Sequence, residues 1–280
     1  MAQFYIVDAF ATEPFGGNPA GVVWLGDAEF PNEDSMRRLA AEFRYSETAF
    51  VRRAAPLSGI FETRYFTPVS EVDLCGHATI GAFAALLEAG AVGDGGSCTN
   101  RTKAGDLAIS VTDGCVWMEL GAPKLLGAVP DNDELYSIMG AARSEGAVAP
   151  MVSAGLPDIL LPVTDEAALA ALNPDFGALA ELSERLDVVG VHAFTTDAQD
   201  GRVHTRNFAP LVGIDEEAAT GTSSGALAYH LYREGLLPDG GEITFIQGEA
   251  MGRPSEIVAR AGDRVYVGGR AVLLAKGELL

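Results

Sequence analysis

Two strongly apolar segments, one in each half of the chain, dominate the hydrophobic pattern. Residues 77–87 and 223–233 are almost free of charged side chains, and each follows a short run of glycine and small polar residues. A helix that is apolar around its whole circumference is normally buried. The pattern therefore predicts one enclosed helix in each half of the chain.

The segments around these two helices are also alike. LCGHAT at 74–79 opens the first helix, and ATGTSS at 219–224 opens the second. Upstream, RYFTP at 64–68 is matched by RNFAP at 206–210. We interpret this correspondence as an internal duplication.

The remaining pattern is one of short strands and amphipathic helices. Met36, Leu39 and Phe43 have helical spacing after Asn32, which predicts a helix with one apolar face. Weaker helical patterns lie at 131–139, 166–172 and 176–186. The predicted strands are 4–10, 21–25, 48–51, 60–66, 106–111, 116–120, 159–163, 188–194, 203–208, 243–247, 257–261, 264–267 and 271–275. Many short strands with one enclosed helix per half predict an α+β fold.

The pattern restarts after the sequence GAP at 121–123. A chain of 280 residues suits two domains, at about 100–200 residues each. We therefore predict an N-terminal domain over 1–120 and a C-terminal domain over 121–269.

Composition and charge exclude several classes of partner. The chain is 48% hydrophobic and 21% charged, as in globular proteins. Its formal net charge of −20 argues against binding to nucleic acid or to an anionic membrane surface. No apolar run approaches the roughly 20 residues of a membrane span, and the N-terminus lacks the pattern of a signal peptide. With three cysteines that lack short paired spacings, we predict free thiols in the cytoplasm.

The starts of the two buried helices are candidate anion sites. Backbone N–H groups and the positive end of the helix dipole favour a carboxylate there. Simple helix capping is the alternative, and for one such motif it would be preferred. Because the motif occurs twice, we expect one small carboxylate to bind between the two halves.

Two other types of site are excluded by spacing. GTSSG at 221–225 matches the G-x-S-x-G pattern of serine hydrolases, but the only later histidine is His230. Along one helix, His230 would lie about 10 Å from Ser223 by axial rise alone. Spacings typical of zinc sites, phosphate-binding loops and dinucleotide folds are absent from the sequence. The sequence therefore predicts no metal and no cofactor.

Several short motifs together resemble the PhzF family of phenazine-biosynthesis-like isomerases. They are GGNPAGVV at 16–23, SETAFV at 46–51, CGHAT at 75–79, ATGT at 219–222, and QG followed by GRPS at 247–248 and 252–255. The resemblance implies two similar domains, each a curved sheet or barrel wrapped around a central helix, as in diaminopimelate epimerase. It also implies that residues 270–280 return to the first domain, and that the protein is a homodimer.

Glu47, His77 and Asn18 are candidate site residues. Taken alone, Glu47 beside Ser46 and Thr48 is more often a solvated residue at a strand edge. Its place in SETAFV matches the motif that holds the family's catalytic glutamate, which implies a general acid/base. His77 at a helix start should be neutral and is either a capping residue or, as the resemblance implies, a substrate contact. Asn18 is either a turn residue or, as the resemblance implies, a ligand contact.

Cys75 raises the question of thiol chemistry. A cysteine at a helix N-terminus can have a lowered pKa. Racemases of the related type need a thiol on each side of the substrate carbon, but the repeat aligns Cys75 with Thr220. A threonine hydroxyl is too weak a base, so we reject two-cysteine racemisation and expect Cys75 to be a packing or contact residue.

The second half departs from the family pattern in two places. The family's Asp-Pro pair is replaced by Glu217-Ala218, and Thr222 stands where serine is usual. Both replacements keep the chemical type. They leave the geometry of the site, and hence the substrate, open.

These residues favour a cofactor-independent isomerase that shifts a proton and a double bond in a small cyclic or amino carboxylic acid. In this hypothesis Glu47 moves the proton, His77 and Glu217 position polar groups, and N–H groups near Gly76 and Gly221 bind the carboxylate. One alternative is an amino-acid racemase or epimerase. Another is a catalytically silent protein that binds a small acid or a protein partner.

Overall fold

The computed structural model describes residues 2–56 and 58–280, which form eighteen strands and six α-helices. The helices are α1 (Glu33–Phe43), α2 (Gly76–Glu88), α3 (Asn132–Ile138), α4 (Glu166–Ala170), α5 (Phe176–Leu186) and α6 (Gly221–Arg233). The strands are β1 (Gln3–Ala9), β2 (Asn18–Trp24), β3 (Thr48–Arg53), β4 (Ile60–Phe66), β5 (Glu71–Val72), β6 (Ser97–Thr102), β7 (Gly105–Thr112), β8 (Cys115–Glu119), β9 (Lys124–Ala128), β10 (Pro150–Ser153), β11 (Pro157–Pro162), β12 (Gly190–Thr195), β13 (Val203–Ala209), β14 (Ile214–Glu217), β15 (Gly241–Gln247), β16 (Ser255–Ala261), β17 (Val265–Gly269) and β18 (Ala271–Glu278).

The chain divides into two compact units. Unit 1 runs from the N-terminus to Glu119 and includes Gly268–Leu280, and unit 2 is Leu120–Val267. Among the described residues, no helix is long and apolar enough to span a membrane.

Unit 1 is a curved sheet wrapped around α2. β18 pairs with β1, β1 with β2 and β3 with β4 in antiparallel fashion, whereas β2 and β3 are parallel. β6 runs parallel to β4 and continues the sheet through β7 to β8. The helix contacts β1, β2 and β3, and also reaches β18 at one end of this order and β8 at the other. The sheet therefore curls around the helix.

The composition of α2 explains why it lies inside this sheet. Ten of its thirteen residues are buried, and Ile80, Phe83 and Leu86 are fully inaccessible. The ring of Phe83 packs edge-on against Phe61 of β4, with 5.6 Å between the ring centroids. Because small residues alternate with these large ones, strands can approach the helix closely on several sides.

Unit 2 repeats this order of pairing. β10 pairs with β11 and β12 with β13 in antiparallel fashion, whereas β11 and β12 are parallel. β13 carries the short antiparallel strand β14 and the parallel strand β15, as β4 carries β5 and β6. The buried helix α6 contacts β10, β11 and β16. In each unit, helices connect the central parallel pair, as a parallel crossover requires: α1 in unit 1, and α4 with α5 in unit 2.

Both predicted buried helices are present as α2 and α6, and every predicted strand overlaps an observed one. Five strands, β5, β6, β9, β10 and β14, were not predicted. β6 is a run of mostly small polar residues, and all five residues of β9 are exposed. Such strands are held by backbone pairing to their neighbours and carry no alternation of buried and exposed side chains.

The close approach of β12 to β13 requires a glycine at position 190. A Cβ atom there would collide with the carbonyl oxygen of Phe208 and lie 2.9 Å from the Cα atom of Ala209. We expect Gly190→Ala to lower the free energy of unfolding by about 3 kcal/mol, because the added methyl group must displace backbone atoms. Urea unfolding would measure the change.

A matched control for this substitution is Gly81→Ala in α2. There the new Cβ would make an ordinary contact, 3.6 Å from the Cβ of Val7. Because alanine favours a helix over glycine, Gly81→Ala should be neutral or more stable. If Gly190→Ala is as stable as the wild type, the close approach of the two strands is not as described.

Candidate active site

His77 is the centre of a buried polar cluster in unit 1. It is the second residue of α2 and is 4% exposed. The amide Nδ2 of Asn18 lies 3.1 Å from its Nδ1, so this nitrogen accepts and the ring proton is on Nε2. Nε2 in turn lies 3.3 Å from the carboxylate oxygen Oε2 of Glu47 and 3.4 Å from the hydroxyl of Ser46. Asn18 thus orients the imidazole so that its N–H faces Glu47.

Glu47 immediately precedes β3, and its side chain is 14% exposed. The side chain is therefore largely enclosed, but part of it remains accessible to solvent. The imidazole of His77, with its N–H toward this carboxylate, holds the carboxylate in one orientation. Such an arrangement suits a carboxylate that removes and returns a proton.

Cys75 lies beside this cluster as the residue before α2. Its Sγ is 3.4 Å from Nδ1 of His77. Burial, with the negative charge of Glu47 as a further cause, raises the pKa of the thiol to about 11. The thiol is therefore protonated at neutral pH, which suits a contact residue rather than a base.

A buried hydrogen-bond network fixes the start of α2. The hydroxyl of Thr79 donates to the carbonyl of Cys75 at 2.7 Å and lies 2.6 Å from the hydroxyl of Tyr65. Asn100 donates to Tyr65 at 3.1 Å and accepts from Thr63 at 2.6 Å. Sequence analysis did not single out this network, although a tyrosine and an asparagine inside apolar strands are a recognisable signal.

Unit 2 has a second polar cluster, before the start of α6. The hydroxyl of Thr220 donates to Oε2 of Glu217 at 2.6 Å. The side chain of Gln247 donates to the carbonyl of Glu217 at 2.7 Å and accepts from the backbone N–H of Thr220 at 3.2 Å. These bonds fix the carboxylate of Glu217 relative to the first residues of the helix, Gly221 and Thr222.

Two buried titratable groups lie near Glu217. Asp158 is 2% exposed and accepts a hydrogen bond from the hydroxyl of Ser223 at 2.7 Å. Burial raises the pKa of Asp158 to about 7. The hydrogen bond from Ser223 acts in the opposite direction, whereas the negative charge of Glu217 adds to the rise. Burial lowers the pKa of His192 to about 4, so its imidazole is neutral. Its Nδ1 lies 3.1 Å from Oδ1 of Asn207, and within the described part of the chain its Nε2 has no hydrogen-bond partner.

The strand registers align the two clusters residue by residue. Thr48 lies opposite Phe66 in unit 1, and Val191 lies opposite Phe208 in unit 2. The preceding residues, Glu47 and Gly190, are therefore equivalent.

The same alignment pairs Val72 with Glu217. These residues lie opposite Tyr65 and Asn207, respectively. At the helix starts, Cys75 corresponds to Thr220. Each unit therefore supplies different chemistry, and the position equivalent to the carboxylate of Glu47 is a glycine.

The starts of α2 and α6 differ from those of the outer helices. The side chains of Asn32, Asp131, Asp165 and Asp175 cap α1, α3, α4 and α5 by accepting a backbone N–H. Within the described residues, the N-cap residues of the buried helices, Cys75 and Thr220, make no such side-chain bond. This difference leaves the first turns of the two buried helices suited to an anion.

Among the residues that the structure describes, two groups of side chains have donor atoms close enough to hold a metal ion, within 4.8 Å of one another. Glu47, Cys75 and His77 form one group, and Glu166, Asp200 and His204 form the other. In the second group Asp200 is already bound by Arg202, whose Nε lies 2.6 Å from the carboxylate. Its charge is thus partly neutralised by the protein itself.

The structure places every predicted site residue in or beside one of the two clusters. Asn18, Glu47, Cys75, Gly76 and His77 belong to the cluster of unit 1. Glu217 belongs to that of unit 2, and Gly221 and Thr222 begin α6 directly after it. Sequence analysis missed Asp158, His192, Asn207, Ser223 and the role of Gln247, which are polar residues at buried positions.

The fold has an epimerase-like architecture, and comparison with known proteins shows that the chain is similar to isomerases. The family model described as phenazine biosynthesis-like protein (PhzC-PhzF) matches residues 7–277. The chain therefore belongs to this family, as the motifs indicated.

Curated relatives agree with this assignment. An uncharacterised isomerase of Deinococcus radiodurans is 37% identical, over 99% of this chain and 94% of the relative. The trans-2,3-dihydro-3-hydroxyanthranilate isomerase of Pseudomonas aeruginosa is 32% identical, over 99% of both chains. The prediction of an isomerase is confirmed.

Solved structures confirm the predicted fold class. A PhzF-family phenazine biosynthesis protein of Bacillus anthracis has a TM-score of 0.88 at 27% identity, over 100% of this chain and 99% of that one. A hydroxyproline epimerase of Agrobacterium vitis has a TM-score of 0.64 at 14% identity, over 99% and 91% of the two chains, and shows the fold alone. The α+β fold is that of the diaminopimelate epimerase type.

Proposed function

We propose that this isomerase shifts a proton, and with it a double bond, within a small cyclic or amino carboxylic acid, without a cofactor. The observation that carries the proposal is the carboxylate of Glu47, largely enclosed and 3.3 Å from an imidazole N–H that Asn18 orients. A positioned carboxylate of this kind contributes about 10²- to 10⁴-fold to a proton transfer.

In the proposed reaction Glu47 acts as base and then as acid. Its carboxylate takes a proton from one carbon, the electron pair of that C–H bond forms the new double bond, and the old double bond opens toward a second carbon. The same carboxyl group then returns the proton to that second carbon. No electrons are gained or lost overall, so the reaction needs no oxidant or reductant. The N–H of His77 keeps the carboxylate oriented through both steps.

The substrate's carboxylate is assigned to backbone N–H groups near Gly76 and Gly221. The absence of side-chain caps at Cys75 and Thr220, among the described residues, supports this assignment. The local positive potential of a helix start can hold an anion even in a chain with a net charge of −20. Glu217 and Thr222 are assigned to orienting polar groups of the substrate.

The first compound to test is trans-2,3-dihydro-3-hydroxyanthranilate, because the Pseudomonas relative is named for its isomerisation. We expect conversion in deuterated water to place solvent deuterium at the carbon that receives the proton, as NMR would show. If neither this acid nor other small cyclic or amino carboxylic acids are converted or bound, the proposal fails in favour of a silent member that serves another role.

We also propose a homodimer, which sedimentation would test.

Replacement of Cys75 separates this reaction from two-thiol racemisation. Because Cys75 is protonated at neutral pH and its equivalent is Thr220, Cys75→Ser should change kcat less than about tenfold. Steady-state kinetics would measure this, with Cys98→Ser as the control at another free, partly buried cysteine. A loss of several hundredfold for Cys75→Ser alone would instead make the thiol a base and favour a racemase.

A further inference from the structure

Asp158 is a carboxyl group whose surroundings do not balance its charge. It is 2% exposed, and its one described hydrogen bond is the 2.7 Å bond from the hydroxyl of Ser223. Ser223 is the third residue of α6, directly after Gly221 and Thr222. A buried carboxylate without a cation is costly, so its protonation should respond strongly to nearby charge.

The duplication shows that this carboxyl is specific to unit 2. Asp158 lies opposite Gly190 across the parallel pair of β11 and β12. The equivalent of Gly190 in unit 1 is Glu47, and the strand register puts Ala20 beside Glu47. In unit 2 the carboxyl is therefore that of Asp158 on β11, the strand next to β12. It accepts a hydrogen bond from Ser223 of α6.

The charged and titratable groups around Asp158 are few. On the flanking strands β10 and β12 its register partners are Val152 and Gly190, which do not titrate. α6 contributes the hydroxyl of Ser223, and β14 contributes the carboxylate of Glu217, whose charge acts on Asp158. His192, two residues along β12, is neutral. In this part of unit 2, the nearby charge is therefore negative.

We propose that Asp158 takes up a proton from solvent when a carboxylate binds at the first turn of α6, so that anion binding there is coupled to proton uptake. The inference rests on the proposed function, which puts the substrate's carboxylate near Gly221. Glu217 and an ionised Asp158 already carry two negative charges in this part of unit 2. A bound anion would add a third. Protonation of Asp158 removes one of these charges and leaves its hydrogen bond to Ser223 available.

The pKa of the free carboxyl makes this uptake measurable. With a pKa of about 7, Asp158 is mostly ionised at pH 7.5 before an anion binds. If binding protonates it fully, about 0.8 proton is taken up per bound anion. Since proton uptake is linked to affinity, the Kd should then rise roughly 25-fold between pH 6.5 and 8.5.

The test is isothermal titration calorimetry with anthranilate, a stable aromatic carboxylic acid, as the probe. At pH 7.5, titrations in phosphate, HEPES and Tris buffers separate proton uptake from the heat of binding, because these buffers differ in ionisation enthalpy. For the wild type we expect a slope of about 0.8 proton. Asp158→Asn should still bind anthranilate, with a slope near zero and a Kd that is independent of pH. Asp8→Asn, which alters a buried carboxyl of unit 1, should keep the wild-type slope.

Three results would overturn the inference. Anthranilate binding without buffer dependence in the wild type removes the coupling but leaves the proposed function intact, as a turnover assay would show. A wild-type slope retained by Asp158→Asn assigns the proton to another group. If anthranilate and other small carboxylates fail to bind the wild type, the anion site of the proposed function is lost, and the coupling is lost with it.

Discussion

Glu47→Gln is expected to lower kcat for the isomerisation by about a thousandfold, with little change in KM. The amide cannot take a proton from carbon, so the variant loses general acid and base catalysis together. Its carbonyl oxygen can still accept the hydrogen bond from Nε2 of His77, so the geometry of the cluster should persist. Steady-state kinetics with a confirmed substrate, together with deuterium exchange from solvent, would measure both effects.

Two controls make the Glu47 result specific. Glu62→Gln changes a partly buried carboxylate of unit 1 that pairs with Arg52 on the neighbouring strand, and it should keep nearly full activity. Anthranilate at a concentration of 100 times its Kd should stabilise the wild type and Glu47→Gln alike, by about 2.7 kcal/mol. A thermal-shift assay would measure this. Turnover by Glu47→Gln within threefold of the wild type would show that another group moves the proton.

The two halves of the chain differ at the positions of the proposed site. Their strand order and buried helices are the same, yet unit 1 carries Glu47 where unit 2 has Gly190, and unit 2 carries Glu217 where unit 1 has Val72. A Cβ atom at position 190 would already collide with Phe208, so a glutamate there would require the backbone to move. This asymmetry favours a mechanism with one base.

The sequence predicted the parts of the fold that burial dictates. The helices α2 and α6 are apolar on all sides and could be located within a few residues, and α1 was located from Met36, Leu39 and Phe43. Strands whose side chains are polar or exposed, such as Ser97–Thr102 and Lys124–Ala128, could not be located in this way. Their positions depend on pairing with strands that are distant in sequence.

Only those residues of the candidate site that lie in motifs or at helix starts could be predicted from the sequence. Glu47 and His77 were found because their motifs resemble a family, whereas Asp158 lies just before the predicted strand 159–163 and in none of the motifs. Its burial follows from the pairing of β11 with β12, which no local pattern encodes. Alignment of the two halves through RYFTP and RNFAP offers a signal, since it puts Asp158 beside the position equivalent to Glu47.

The second large effect is expected for the pH dependence of stability in Asp158→Asn. In the unfolded chain an aspartate has a pKa of about 3.9, whereas in the folded protein Asp158 has a pKa of about 7. Between these values the unfolded state loses its proton while the folded state retains it. Wild-type stability should therefore fall as pH rises from about 4 to 7 and level off above, by about 3–4 kcal/mol from this group alone.

Asparagine does not titrate, so Asp158→Asn should escape this loss. Relative to the wild type, the variant should gain about 2.6 kcal/mol between pH 5 and pH 8, as measured by urea unfolding across that range. His192, with its lowered pKa, acts in the opposite direction below about pH 6.5, but it does so equally in both proteins and cancels in their difference. A constant difference between the two proteins from pH 5 to 8 would mean that Asp158 is ionised throughout. The predicted loss of wild-type stability with rising pH would then be wrong.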